Sequence, residues 1–231
     1  KRFFLPSQKN YDIKESVHKK SKEILFIKNI SYNIKNKNIL NNINFKLFYG
    51  DCLGIVGESG SGKSTIAKII CGLINNYNGS VFFNKKIINK NEKKIQIVFQ
   101  ESISSLTPNY KVGDLLYEVC VFFKYEKSKI KNTILNFFKI TNLDKNVYNK
   151  YPHQLSGGQK QRISIIRILL SKPEIIVFDE SLSALDIITQ ANILNLIKYL
   201  KFKYNLSIIF ISHDLGSVSF LCNKIIVLKD G

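Results

Sequence analysis

Asp51-Cys52-Leu53-Gly54-Ile55-Val56-Gly57-Glu58-Ser59-Gly60-Ser61-Gly62-Lys63-Ser64-Thr65 is the stretch on which the reading of this chain turns. Asp51–Val56 is a short apolar strand, the glycines after it form a loop, and the run from Lys63 to Leu73 continues as a helix. A strand that passes through such a loop into a helix is built to hold an anion. Glycines let successive backbone N–H groups curl around oxygen atoms, and the helix N-terminus adds a favourable dipole. Gly57 to Ser64 fits the phosphate-loop pattern G-x4-G-K-[ST] in the strand–loop–helix setting that the pattern requires. Lys63 is placed to reach β- and γ-phosphates as a point charge, and the Ser64 hydroxyl to ligate Mg²⁺. Gly57, Glu58, Ser59, Gly60, Ser61, Gly62, Lys63, Ser64 and Thr65 are therefore the candidate phosphate-binding residues. Taken alone the loop indicates a nucleoside triphosphatase and nothing narrower.

Outward from the loop, Ile24–Ile34 and Ile39–Phe48 read as strands parted by the turn-prone Lys35-Asn36-Lys37-Asn38. Val81–Phe83 and Ile95–Phe99 are further strands, and Val112–Phe123 and Lys127–Ile140 show helical periodicity. A helix over Ser156–Leu170 leads to the apolar strand Ile175–Phe178. Helix Thr189–Lys203, strand Ser207–Ile211, a short helix from Asp214 and strand Lys224–Leu228 follow. Helices alternating with fully apolar strands predict an α/β fold around a covered, mainly parallel core sheet. Glu174-Ile175-Ile176-Val177-Phe178-Asp179-Glu180 ends such a strand in two carboxylates, at the edge where open α/β sheets bind ligands. Asp179 is the candidate to hold Mg²⁺ through its water shell, and Glu180 to polarise the attacking water. Many strands end in acidic residues, so this pair takes its meaning from the phosphate loop.

Composition sets the outer bounds. The 231 residues, 45% hydrophobic and 12% aromatic, form a folding sequence able to bury one generous core or a main domain with a smaller subdomain. No apolar run approaches the roughly 20 residues that cross a bilayer, and no signal peptide opens the chain. The expectation is a soluble domain that reaches any membrane through a partner. Cys52, Cys71, Cys120 and Cys222 lack metal-ligand spacing and read as small buried hydrophobes of a reducing compartment. The net charge of +18 invites a nucleic-acid or anionic-lipid partner. Lysine is spread among asparagine and isoleucine along the whole chain, however, as an AT-rich genome would produce, and a solvated surface is the plainer account. Lys85-Lys86 and Lys93-Lys94 read as solvated faces. Residues 1–23 are basic and without period, a linker or N-terminal extension before a domain over 24–231. The missing methionine, including at position 1, leads to the expectation of a fragment or a cut-out domain.

Leu155-Ser156-Gly157-Gly158-Gln159, followed by Lys160-Gln161-Arg162, resembles the signature of the ABC ATPases. The resemblance covers nearly the whole chain from Ile24 onward. In order come the phosphate loop, Gln100 in Val98-Phe99-Gln100, the signature, the Asp179-Glu180 strand, Ser183-Ala184-Leu185-Asp186 and His213 in Ile211-Ser212-His213-Asp214. The resemblance implies a P-loop fold with a parallel core sheet, an antiparallel β subdomain and an α-helical subdomain at about 101–155. It implies ATP and Mg²⁺, bound twice in a head-to-tail dimer with a second ABC ATPase domain. Ser156, Gly157, Gly158 and Gln159 would open a helix whose end faces the γ-phosphate held by the opposite subunit. Gln100 would sense Mg²⁺ and water, Asp186 would cross the dimer seam, and His213 would contact the γ-phosphate and orient Glu180. His18 and His153 gain no such role.

The stretch Gln100–Pro108 resembles the oligopeptide, dipeptide and nickel importer branch, as do Tyr151-Pro152-His153-Gln154 and Phe210–Leu215. In that branch two ATPases at the cytoplasmic face of the inner membrane drive two permeases fed by a substrate-binding protein, and never touch the solute. Ser102–Pro108 is then the candidate coupling surface. Three departures stand out. The position that usually stacks an aromatic on adenine falls near Ile34, so Tyr32, two residues earlier on the same strand face, is the candidate instead. Arg167-Ile168-Leu169 is bulkier than the family's usual choice, and Ser181 replaces a common proline. The chain stops at Lys229-Asp230-Gly231, before the C-terminal extension usual in this branch. An ABC ATPase acting on ribosomes or nucleic acid, and an exporter ATPase, are the alternatives.

Overall fold

The computed structural model describes residues 22–35, 37–88, 92–99 and 106–231. Its strands fall into two sheets. β1 (Glu23–Ile34) and β2 (Lys37–Phe48) pair antiparallel along their length, and β4 (Asn78–Phe83) and β5 (Lys86–Ile87) extend the ribbon in the order β2-β1-β4-β5. The second sheet is wholly parallel. Its order is β6 (Ile95–Val98), β7 (Ile175–Asp179), β8 (Ser207–Ile211), β3 (Cys52–Val56) and β9 (Lys224–Val227). α1 (Lys63–Ile70) follows β3, and α2 (Val112–Phe122) packs on α3 (Ile130–Ile140). α4 (Gly157–Leu169), α5 (Ile187–Tyr204) and α6 (Leu215–Leu221) complete the helices.

The parallel strands are apolar without interruption because both their faces are covered. On β7, Ile175 and Val177 enter a core shared with the antiparallel sheet and α1, while Ile176 and Phe178 enter a second core with α5 and α6. β8 divides the same way, Ile209 and Ile211 against Ile208 and Phe210. Burying each of these side chains stabilises the fold by roughly 1.5–3 kcal/mol, and trimming one to alanine leaves a cavity at a cost of about 2–5 kcal/mol. A third cluster joins Val112, Leu116 and Cys120 of α2 to Ile130, Ile134 and Phe138 of α3 and to Ile163 and Ile166 of α4. The four-residue spacing on α2 and α3 is the buried stripe of an amphipathic helix.

Several expected boundaries are corrected. The helix expected over Lys63–Leu73 stops at Ile70 with Cys71 as its cap, and the Leu73 N–H donates to the Lys68 carbonyl at 2.8 Å. The helix expected from Lys127 begins as a tighter 3-10 turn over Lys127–Lys129, and α3 proper starts at Ile130. α5 begins at Ile187, two residues before Thr189, because the Asp186 carboxylate caps it. Ile187 and Ile188 are 84% and 71% exposed, so their apolar side chains gave no face to align with the helical period. β5 spans two residues, too short for any period to show. No helix among the described residues is long and apolar enough to cross a membrane.

Candidate nucleotide site

β7, β8 and β3 are neighbours in the parallel sheet, so their C-terminal ends lie side by side. β3 hands over to the glycine-rich loop, β7 to Glu180 and β8 to His213. Residues far apart in the chain thus share one sheet edge, as open α/β folds arrange their ligand sites.

The loop is wedged between other elements. A Cβ at Gly57 would come within 2.2 Å of the Leu228 carbonyl oxygen and 2.8 Å of Ser61 Oγ. Gly62, at φ +100°, is the N-cap of α1, and a Cβ there would meet Leu40 Cδ2 at 2.7 Å and the Ile39 carbonyl at 2.9 Å. Only glycine satisfies both the angle and the contact. No side chain caps α1, so its first-turn amides are left for a ligand. The Lys63 ammonium, 5% exposed, donates to the Gly57 and Glu58 carbonyls at 2.9 and 2.7 Å. The Ser64 hydroxyl donates to Asp179 Oδ1 at 2.9 Å. Burial pushes the Asp179 carboxyl up, the Ser64 hydroxyl pulls it down, and the neighbouring Glu180 pushes it up again.

Glu180 sits between two cationic or protonatable partners. One carboxylate oxygen lies 4.0 Å from Lys63 Nζ and the other 3.7 Å from His213 Nδ1. Its backbone is left-handed, φ +47°, a conformation that costs a non-glycine residue about 1–2 kcal/mol. The strain is offset locally. The Glu180 N–H donates to the Ile211 carbonyl at 3.0 Å, and its own carbonyl accepts from Ser183 N and Oγ at 3.3 and 2.9 Å. A cavity of about 110 Å³ opens beside Glu180 and His213, lined also by Ser181, Gln190 and Asp214. The Ser61 and Ser181 hydroxyls are buried without a partner. An ammonium, uncapped helix amides, a hydroxyl and a buried carboxylate are the donor set that fits a triphosphate with a divalent cation.

The signature stretch is arranged around its own helix. Ser156 Oγ accepts the Gln159 N–H at 3.3 Å and Gln159 Oε1 accepts the Ser156 N–H at 3.1 Å, a reciprocal capping box at the start of α4. Gly157 packs on Leu185, and a Cβ at Gly158 would meet Thr189 Cγ2 at 2.6 Å, so the signature and the start of α5 form one packed corner. The Asp186 carboxylate accepts the Thr189 N–H at 2.9 Å. Among the described residues, no hydrogen bond or ion pair links Ser156–Gln159 to Gly57–Thr65. Tyr32 pairs across the ladder with Leu40, the residue touching Gly62, and its ring is half buried against the first core. Ile34 is 45% exposed. Gln100 and residues 101–105 lie outside the described residues, while Leu106 is buried in the third core. His153 stacks on Tyr151 with ring centroids 5.6 Å apart. The Leu228 carbonyl behind Gly57 and the anchoring of Glu180 by Ile211 and Ser183 escaped the sequence reading, because backbone groups leave no mark in residue types.

This edge defines a P-loop ATPase. The family profile described as ABC transporter matches residues 40–183. The oligopeptide transport ATP-binding protein OppF of Haemophilus influenzae is 36% identical over 235 residues, covering 91% of this chain and 71% of that protein. Among solved structures, cbiO1 from Clostridium perfringens, part of the ABC transporter complex cbiONQ, matches with a TM-score of 0.82 at 27% identity, over 90% of this chain and 86% of that one. The ATP-binding cassette MJ0796, dimeric in a post-hydrolysis state with ADP and Pi, matches with a TM-score of 0.78 at 31% identity, over 90% and 95%. The chain belongs to the ABC transporter family, whose ATPases bind and hydrolyse ATP.

Proposed function

We propose that this chain is the ATP-hydrolysing subunit, or half, of an ABC importer of oligopeptides. The observation that carries the reading is the Glu180 carboxylate poised between Lys63 and His213, beside the Ser64–Asp179 pair. Lys63 turns its ammonium from the loop carbonyls onto β- and γ-phosphate oxygens, and the amides of Gly57–Thr65 bind the rest. Ser64, Asp179 and Gln100 would hold Mg²⁺, which would supply positive charge against that developing on the phosphates. Glu180 accepts a proton from the attacking water, and His213 orients that carboxylate and contacts the γ-phosphate. Tyr32 stacks on adenine.

Each site needs a second ATPase domain docked head to tail, since the signature of one chain stands apart from its own phosphate loop. Ser156–Gln159 of one copy face the γ-phosphate held by the other, and Asp186 lies at the seam. The domain boundary at residue 24 and a helical subdomain at about 101–155 belong to the same reading. Ser102–Pro108 is the proposed coupling surface, and a groove of about 880 Å³ lined by Val98, Phe99, Val119, Phe122 and Phe123 offers the permease a second apolar contact. Phe122 there is 67% exposed. The chain then sits at the cytoplasmic face of the inner membrane, held by two permeases that a substrate-binding protein feeds, and does not touch the solute. OppF relatives favour peptides over nickel as cargo.

The test is a tagged pull-down from detergent-solubilised membranes after nuclease treatment, read by mass spectrometry. Two polytopic permeases and a peptide-binding protein are the expected company. A nickel-binding protein in their place would move the cargo to nickel. Ribosomal or nucleic-acid proteins without a permease would overturn import and leave the ATPase standing.

A further inference from the structure

We propose that Cys52 and Cys222 are an oxidisable pair, which hydrogen peroxide converts into a disulfide tying the strand that enters the phosphate loop to the end of the helix behind His213. Both cysteines are free, and their sulfurs stand 3.4 Å apart although 170 positions separate them in sequence. Cys52, the first residue of β3, is fully buried, whereas Cys222 closes α6 and is partly exposed.

The backbone around the pair is clamped. The Asn223 N–H donates to the Cys52 carbonyl at 3.0 Å, and Asn223 Oδ1 accepts the Cys52 N–H at 2.6 Å. Asn223 Nδ2 and Lys224 Nζ hold the Asp51 carboxylate at 2.9 and 2.8 Å. Residues 51–52 and 222–224 are thus fixed side by side, and the sulfurs need only close to the bonded separation of about 2.05 Å. The hydrogen bond to Cys222, then burial, hold the Cys52 thiol well above its usual range, so oxidation enters at the more exposed sulfur. The Cys222 sulfur gives up its proton and attacks one peroxide oxygen, the O–O bond breaks, and the departing hydroxide takes that proton as one water, leaving Cys222 a sulfenic acid. The Cys52 sulfur then attacks the Cys222 sulfur, the S–S bond forms, and the hydroxyl leaves with the Cys52 proton as a second water. Two thiols lose two protons and two electrons, and one peroxide is reduced to two waters.

Crosslinking positions so far apart removes freedom from the unfolded chain. The purified chain is therefore treated with peroxide, alkylated after unfolding and mapped by mass spectrometry, with Cys71 and Cys120 as internal controls. A Cys52–Cys222 peptide, two hydrogens lost and a Tm raised by about 5 °C or more are expected, all reversed by dithiothreitol. Cys222→Ser, on the accessible side and least able to disturb folding, and Cys52→Ala should each abolish crosslink and Tm gain together. If both thiols stay alkylatable, or Cys222 proceeds to sulfinic acid unlinked, in protein that still hydrolyses ATP, the proposal fails. That outcome leaves the transport reading untouched.

Discussion

At position 180 a carboxylate is delivered by a backbone that most residues avoid. The left-handed turn at the end of β7 swings the side chain out of strand alternation, and the bonds to Ile211 and Ser183 hold it there. Glu180→Gln keeps those bonds and removes only the charge. Turnover should fall about 10²–10⁴-fold with ATP affinity retained, as phosphate release and nucleotide titration would show; unaltered turnover would remove Glu180 from the role of base. Lys63→Ala deletes the charge proposed to meet the phosphates, and ATP affinity should fall about 10–100-fold, measured against a variant whose apo Tm confirms folding. The residue types at these positions were legible in the sequence because phosphate and water chemistry restrict them to a few side chains. The positive φ at Glu180 was not, since glutamate carries no mark of the angle its neighbours impose.

Helix ends carry the next layer of the argument. In α4 the Ser156–Gln159 capping box satisfies amides that would otherwise lack partners. Ser156→Ala should cost about 1 kcal/mol and lower Tm by roughly 2–4 °C, which calorimetry would register. At α6, Asp214 accepts from the Ser217 hydroxyl and from the Ser217 and Gly216 amides, and the Ser217 hydroxyl above all holds its carboxyl below the usual carboxylate range. A carboxylate lowered by folding contributes stability above its unfolded value. That contribution is lost as pH falls through the unfolded value and on to the lower folded one. Asp214→Ala should therefore flatten the acid limb of the Tm–pH curve; an identical limb would show that the cap contributes nothing there. Strands β7 and β8 were readable from sequence because apolar runs bounded by polar residues fit a sheet covered on both faces. The start of α5 was not, because exposed Ile187 and Ile188 offer no apolar face to align with the helical period.

Across the whole molecule, the order of motifs along the chain was legible, but their adjacency was not. Nothing local says that a strand at 52–56 lies between strands at 207–211 and 224–227; that neighbourhood is set by crossover connections and by the burial of both sheet faces. The separation of signature from phosphate loop within one chain leads to a prediction for the assembly. Glu180→Gln with Mg-ATP should double in mass by light scattering, whereas Ser156→Arg should bind ATP and remain monomeric. A Glu180→Gln variant that binds ATP yet never dimerises would refute the composite site. The wedge of Leu228 behind Gly57 also has a bearing on synthesis. Elongation writes the loop long before its backstop, so a nascent chain spends on the order of ten to thirty seconds between them. Until β8 and then β9 emerge, β3 lacks its flanking strands, and its unpaired apolar edges are open to chaperones. Nucleotide affinity should therefore be gained only once β9 has left the ribosome.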